Sequence, residues 1–239
     1  MEPTLRLYWD DDHCFVAEAR VVAIAGNDVA FDRTCFYAGG GGQPPDAGTV
    51  QFDGGDPVRV VSARADEAGV IWHTLEHPAA AVGQAARLQV DPARRLALTR
   101  YHTVLHVLNT IALQDYGAWI TGVQIGVDYS RIDFKWEGFT AALCPELEAK
   151  VNRVLEGAHA LRAYYLDEAD FRARPDLLRT LEVNPPVVNG RVRVVEIEGF
   201  DAQACGGTHV PSTAEVGRFT IYKTENKGKI NKRLYVRLS

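Results

Sequence analysis

The chain has 239 residues, a formal net charge of −5 and a sequence pI of about 5.8, with 46% hydrophobic and 24% charged residues. That is an ordinary globular composition, long enough for one large domain or two modest ones. It excludes a disordered chain, a protein that coats nucleic acid through bulk positive charge, and a disulfide framework, because Cys14, Cys35, Cys144 and Cys205 are scattered.

The first ninety residues read as β-structure. Runs rich in Val, Ile and aromatics at 5–9, 14–23, 29–32, 58–64, 70–75 and 85–90 are separated by turn signals such as Gly26-Asn27-Asp28. Short strands at this spacing predict a small barrel or sandwich. The pattern changes at Asp91-Pro92, a good N-cap followed by proline at the first helical position. A long, mostly apolar helix is expected over 92–116, with Gly117 as its stop. Alternating runs at 123–128 and 131–136 predict a hairpin with a two-residue turn. Pro145 opens a second helix with Leu147, Val151, Val154, Leu155 and Ala158 on one face. A strand at 163–166, a short helix after Asp167, a loop at Pro185-Pro186 and a strand at 192–198 follow. The chain ends in a hairpin, 216–224 with 230–238. Residues 92–239 therefore read as α+β, with long helices on an antiparallel sheet. No apolar run approaches the roughly 20 residues needed to span a bilayer. The polar N-terminus carries no signal peptide, so a cytoplasmic protein without membrane contact is expected.

Two pairs of residues carry metal chemistry. His102 and His106 are four apart in the long helix, so both imidazoles lie on one face. Cys205-Gly206-Gly207-Thr208-His209 sets a thiolate and an imidazole four apart around glycines that a helix would not favour. Each pair alone is consistent with packed core residues. Together they supply three nitrogens and one sulfur, a donor set suited to tetrahedral Zn²⁺. Four protein ligands normally make a structural site, whereas hydrolysis needs an open position.

Thr34-Cys35-Phe36-Tyr37-Ala38-Gly39-Gly40-Gly41-Gly42-Gln43 is the most unusual stretch. Its glycines admit close approach to the backbone, Gln43 offers donors and an acceptor, and it is not a nucleotide P-loop. The C-terminal stretch, with Lys227, Lys229, Lys232 and Arg233, reverses the acidic balance of the chain. It is either a phosphate-binding element or a solvated basic hairpin.

These pieces, in this order, resemble the editing domain of alanyl-tRNA synthetase and its freestanding relatives, the AlaX-type editing proteins. The likeness rests on His102-x-x-x-His106, Cys205-Gly-Gly-Thr-His209, Phe36-Tyr37 with Gly40-Gly41-Gly42-Gln43, Arg131-Ile132-Asp133-Phe134, and the segment from Lys227 to Arg233. It departs from the family pattern at Ala38-Gly39. The resemblance implies an α+β protein: an N-terminal small β-barrel domain, 1–90, followed by an α/β two-layer editing domain, 91–239. It implies zinc held by His102, His106, Cys205 and His209, and hydrolysis of mischarged alanine tRNA carrying serine or glycine. Gly40, Gly41, Gly42 and Gln43 would approach the aminoacylated end, and Thr34 would read a serine hydroxyl. The basic residues Lys227, Lys229, Lys232 and Arg233 would contact tRNA, and no obligate protein partner is implied. The length leaves no room for an aminoacylation domain, and the Met1 start points to a separate protein. Two alternatives stand beside this one: a related domain editing threonyl-tRNA synthetase products, and a non-catalytic tRNA-binding module with structural zinc.

Overall fold

The computed structural model describes residues 1–77, 80–179 and 185–239. Its contacts divide the chain into two units, Met1–Gly40 with Pro44–Leu96, and Gly41–Gln43 with Ala97–Ser239. The division falls in the second turn of the long helix.

In the first unit, six strands close into a barrel. They are β1 (Val16–Ala25), β2 (Asp28–Phe31), β3 (Gly48–Phe52), β4 (Val58–Ala65), β5 (Ile71–Leu75) and β6 (Ala85–Val90), in the order β1-β2-β5-β4-β3-β6, every neighbour antiparallel. Alternation along the strands sends Val21, Val29, Phe31, Val50, Val60, Leu75, Leu88 and Val90 into a shared core. β3 was not expected from the sequence. Residues 5–9 do not form the expected strand: only Leu5–Arg6 pairs, in parallel, with Arg33–Thr34, and Leu7–Trp9 is a 3-10 turn. Tyr8 and Trp9 of this turn are both buried.

A buried ion pair braces this unit. Arg95 and Asp46 have no exposed side-chain surface and are hydrogen-bonded to each other. Arg95 also donates to the carbonyls of Cys35 and Asp12, and Asp46 accepts the Tyr37 N–H at 2.7 Å. With its hydrogen-bonding groups met, the pair avoids the full cost of buried charge.

The second unit is built around α1 (Pro92–Tyr116). The Asp91 carboxylate accepts the N–H groups of Ala93 and Arg94, and Gly117 ends the helix at φ +64°. Leu98, Val104, Leu105, Leu108 and Ile111 share a core with Leu147, Val151 and Leu155 of α2 (Cys144–Glu156). Ala158, expected on the face of α2, lies beyond its end with φ +51°.

The expected hairpin is present but shifted. Its strands are β7 (Trp119–Gln124) and β8 (Ser130–Lys135), with residues 125–129 between them. Ile125 leaves the ladder because its N–H donates to the Gly42 carbonyl, and the Gly126 N–H goes to the Ser130 hydroxyl. The terminal hairpin, β12 (Phe219–Asn226) with β13 (Asn231–Leu238), joins this pair in the order β12-β13-β8-β7. Among the described residues a second antiparallel sheet joins β9 (Leu161–Asp167) and β11 (Asp201–Ala204) to β10 (Arg191–Ile197). The single sheet expected for this region is thus two. β10 pairs with β9 along its whole length and also with β11 and Val187–Val188, so neither edge is left for the other sheet. No described helix is long and apolar enough to cross a membrane.

Candidate metal centre

α1 is buried along most of its length yet carries a polar stripe: Thr99, His102, Thr103, His106, Asn109 and Thr110. Steps of three and four residues put these side chains on one face. That face meets the segment that follows β11. There His102, His106, Cys205 and His209 bring one ligand atom each to within 4.8 Å of one another. Cys205 Sγ lies 3.4 Å from His102 Nε2 and 3.5 Å from His209 Nε2. A tetrahedron with Zn–N of about 2.0–2.1 Å and Zn–S of about 2.3 Å has N···S edges of roughly 3.5 Å. The donor set and its spacing therefore fit zinc.

The protonation states fit as well. Burial is the main cause that pushes all three histidines down: His102 to about 3, with Arg193 adding to the effect, and His106 and His209 well below the ordinary value, with neighbouring histidines adding to it. Neutral imidazole is the form that ligates metal. Hydrogen bonds then select the tautomer. Gln43 Oε1 accepts the Thr208 N–H, which fixes the amide's orientation, so the Gln43 Oε1···His102 Nδ1 contact of 2.7 Å places the proton on Nδ1. Thr103 gives its one hydroxyl hydrogen to the Thr99 carbonyl and accepts from His209 Nδ1 at 3.2 Å. In both histidines Nε2 is then the unprotonated nitrogen, the form that ligates a metal. The Gly207 N–H points at Cys205 Sγ, 3.3 Å away, which favours the thiolate.

The segment from Cys205 to His209 is held from behind. Arg193, buried on β10, donates to the carbonyls of Gly207 (2.8 Å) and Cys205 (3.2 Å). Gly207 packs against the His102 ring so closely that a Cβ would overlap it. Farther along α1, Asn109 donates to Gln203, Thr110 donates to Asp201, and Arg179 pairs with Asp201 at 2.5 Å. The sequence reading missed Thr99, Thr103, Asn109, Thr110, Arg193, Gln203 and Arg179. The stripe on α1 was the available signal: threonines and asparagine recurring in register with the histidines.

The other expected site residues fall in different settings. Gln43 is buried and committed to His102 and Thr208. Gly42 has φ +83°, and a Cβ there would stand 2.7 Å from the Val123 carbonyl, so only glycine fits. The Gly40 carbonyl takes the Tyr37 hydroxyl at 2.9 Å, and a Cβ on Gly41 would meet open space. Thr34 belongs to the first unit and is fully buried. His73 Nδ1 faces the Val29 carbonyl, so Nε2 accepts the Thr34 hydroxyl at 2.8 Å, and the Thr34 oxygen accepts the Phe36 N–H. Lys227 and Lys229 are exposed at the tip of the terminal hairpin, with Lys227 paired to Glu225. Lys232 is buried against Asn226 and the Lys229 carbonyl, and Arg233 grips Asp133 through two hydrogen bonds of 2.6 and 2.7 Å.

Residues 192–235, which include Cys205 and His209, match the family model for the threonyl and alanyl tRNA synthetase second additional domain. Residues 11–94 match the model for class II (A) tRNA synthetases. The alanyl-tRNA editing protein AlaX-M of Saccharolobus solfataricus is 34% identical over 97% of this chain and 98% of its own length. The chain belongs to the alanyl-tRNA editing protein family. Another AlaX-M protein, from Methanosarcina acetivorans, is 36% identical to this editing-family chain over 97% of it and 98% of the relative. An alanine–tRNA ligase of Korarchaeum cryptofilum is 37% identical over 92% of the chain, a stretch that makes up 25% of that ligase.

Proposed function

We propose that this chain is a zinc-containing trans-editing hydrolase. It cleaves the ester joining serine or glycine to the 3′ adenosine of alanine tRNA. As an alanyl-tRNA editing protein it is an aminoacyl-tRNA deacylase. The observation that carries the metal reading is the cluster of three histidines and one cysteine, two of whose imidazoles have Nε2 as the unprotonated nitrogen. Zinc held there supplies a Lewis acid for ester hydrolysis. Gln43 and Thr103 hold the His102 and His209 rings, and Arg193 holds the backbone that carries Cys205. Cys205 and His106 keep part of their surface exposed while His102 and His209 are buried, so the cluster meets solvent on its Cys205–His106 side.

The need for such an activity is physical. A pocket built for alanine admits glycine, which is smaller, and rejects serine by only ~10²-fold. A second site that pairs with the serine hydroxyl spares alanine, which would leave that site's polar groups unpaired. Thr34 is the proposed reader of that hydroxyl. Its two hydrogen bonds leave one lone pair for the contact, and serine must reach a fully buried oxygen to use it. Lys227 and Lys229 are the proposed phosphate contacts, with Lys232 and Arg233 bracing the hairpin and adding charge. The protein is proposed to act in the cytoplasm.

The second reading, a tRNA-binding module with structural zinc, is favoured by the fourth protein ligand. Labelled seryl-tRNA(Ala) separates the two. The editing hydrolase releases serine faster than the spontaneous rate, loses this on zinc removal and regains it on zinc addition. Zinc-loaded protein that binds the tRNA without releasing serine is the structural module.

A further inference from the structure

The outward face of the β12-β13-β8 sheet is unusual for a solvent-facing surface. Ile132, Phe134, Leu234 and Val236 point inward and are fully buried. Alternation therefore turns Arg131, Asp133 and Lys135 of β8, and Arg233, Tyr235 and Arg237 of β13, to the other side. The pairing of β12 with β13 carries a bulge between Ile221 and Lys223. The bulge lets the two consecutive residues Tyr222 and Lys223 both stand exposed, whereas Ile221 packs on the core. Tyr129, from the β7–β8 connection, completes a triangle with Tyr222 and Tyr235, ring centroids 6.1–6.4 Å apart. Tyr129 is 46% and Tyr222 41% exposed.

Cations line these rings. The Arg237 guanidinium lies 4.1 Å from the Tyr222 ring centroid, and Lys223 Nζ 4.9 Å from that of Tyr235. Arg131 sits directly across from Tyr235. Among the described residues, neither Arg131 nor Arg237 is paired with a carboxylate, while Arg233 is held by Asp133 and Lys223 by Glu225. The outward strand positions carry no aliphatic side chain, and their cations outnumber their two carboxylates. Exposed aromatic rings interleaved with unpaired guanidinium groups match single-stranded nucleic acid, whose bases stack and whose phosphates need cations. Lysine is depleted at protein interfaces, whereas this face carries Lys135 and Lys223 beside its arginines.

We propose that Tyr129, Tyr222 and Tyr235 form a stacking platform for unpaired bases of RNA, with Arg131 and Arg237 taking the adjoining phosphates. The proposal rests on the tRNA-editing reading, and it assigns single-stranded nucleotides of the substrate to a surface that includes none of the metal ligands.

Binding of a fluorescently labelled single-stranded RNA of about eight nucleotides, and of a duplex with the same sequence, tests it by anisotropy on the zinc-loaded full chain. The single strand should bind more tightly than the duplex. Tyr129→Ala and Tyr222→Ala should each weaken single-strand binding by at least about five-fold. Tyr129→Phe and Tyr222→Phe, which keep the ring, should bind as wild type. Arg237→Gln should lower the slope of log K against log salt by roughly 0.7, the value for one phosphate on a single strand, and the tyrosine variants should leave the slope alone. Unchanged single-strand affinity in the alanine variants would leave the patch to a protein partner and overturn the proposal, as would a loss that phenylalanine fails to restore. Release of serine from seryl-tRNA(Ala) is measured on the same samples. Ring-dependent RNA binding without serine release retains the platform and rejects the hydrolase, and serine release with ring-independent binding does the reverse.

Discussion

Replacing Gln43 by Ala tests whether the metal centre depends on its outer hydrogen bonds. The change removes the acceptor for His102 Nδ1–H (2.7 Å) and for the Thr208 N–H (3.2 Å), and the donor to the Thr208 hydroxyl (2.8 Å). His102 is then free to adopt either tautomer, and its Nε2 is no longer fixed toward Cys205. Loss of such an outer partner costs about 10- to 100-fold in metal affinity, or about 1.4–2.7 kcal/mol. The two N–H groups left buried without acceptors cost roughly 1–3 kcal/mol each before relaxation, so the metal-free protein should also be less stable. Gln43→Glu is the control. A carboxylate accepts from both N–H groups, and the Thr99–Thr208 hydroxyl pair, in which either oxygen can donate, turns to suit it. Zinc affinity should be near wild type in that variant. Chelator competition measures the affinity, and nitrogen NMR of the imidazoles reports the tautomer. A Gln43→Ala protein with wild-type zinc affinity and an unchanged His102 tautomer would refute the reasoning.

Cys205→Ala and His106→Ala should each reduce zinc content and serine release together, and full zinc occupancy in both would remove the four-ligand assignment. Thr34→Val deprives the buried His73 Nε2 of its hydrogen-bond donor, so stability should fall by about 1–3 kcal/mol. If Thr34 also reads serine, the ratio of seryl- to alanyl-tRNA(Ala) deacylation should drop roughly 2- to 12-fold, and an unchanged ratio confines it to the barrel. His73 itself predicts an acid-sensitive barrel: burial pushes it from 6.5 down to about 4. The unfolded chain takes up this proton first, so the stability tied to neutral His73 is complete above pH 6.5. It falls as the pH drops toward about 4, by about 3 kcal/mol in all. Denaturant unfolding should show that His73→Gln loses about 3 kcal/mol less stability than wild type across that range. Neutralising Lys227 and Lys229 should weaken tRNA binding and flatten its salt dependence, and an unchanged slope would return them to the solvated surface.

What the sequence determined by itself is what neighbouring residues encode. Asp91-Pro92 and Gly117 bound the long helix because capping and left-handed backbone are settled within a turn. The four-residue step between His102 and His106 put both on one helical face, and Cys205 and His209 were legible as their partners because their donor types complete a metal's set. Alternation disclosed most of the barrel strands. β3 escaped because its five residues follow a proline-rich turn and gain their pairing from β4 and β6.

Tertiary structure decided the hydrogen-bond partners that join residues far apart in the chain. Gln43 looked like a substrate contact beside a glycine run, and only the fold brings its amide to His102 and Thr208. Lys232 and Arg233 looked like free cations, and only the β13–β8 register hands Arg233 to Asp133. Arg193 carries no motif, because an arginine becomes a support for a metal site only when packing strips away its water. Periodicity and capping are short-range and survive in the sequence. Hydrogen-bond partners and desolvation are long-range, and they exist only once the chain has folded.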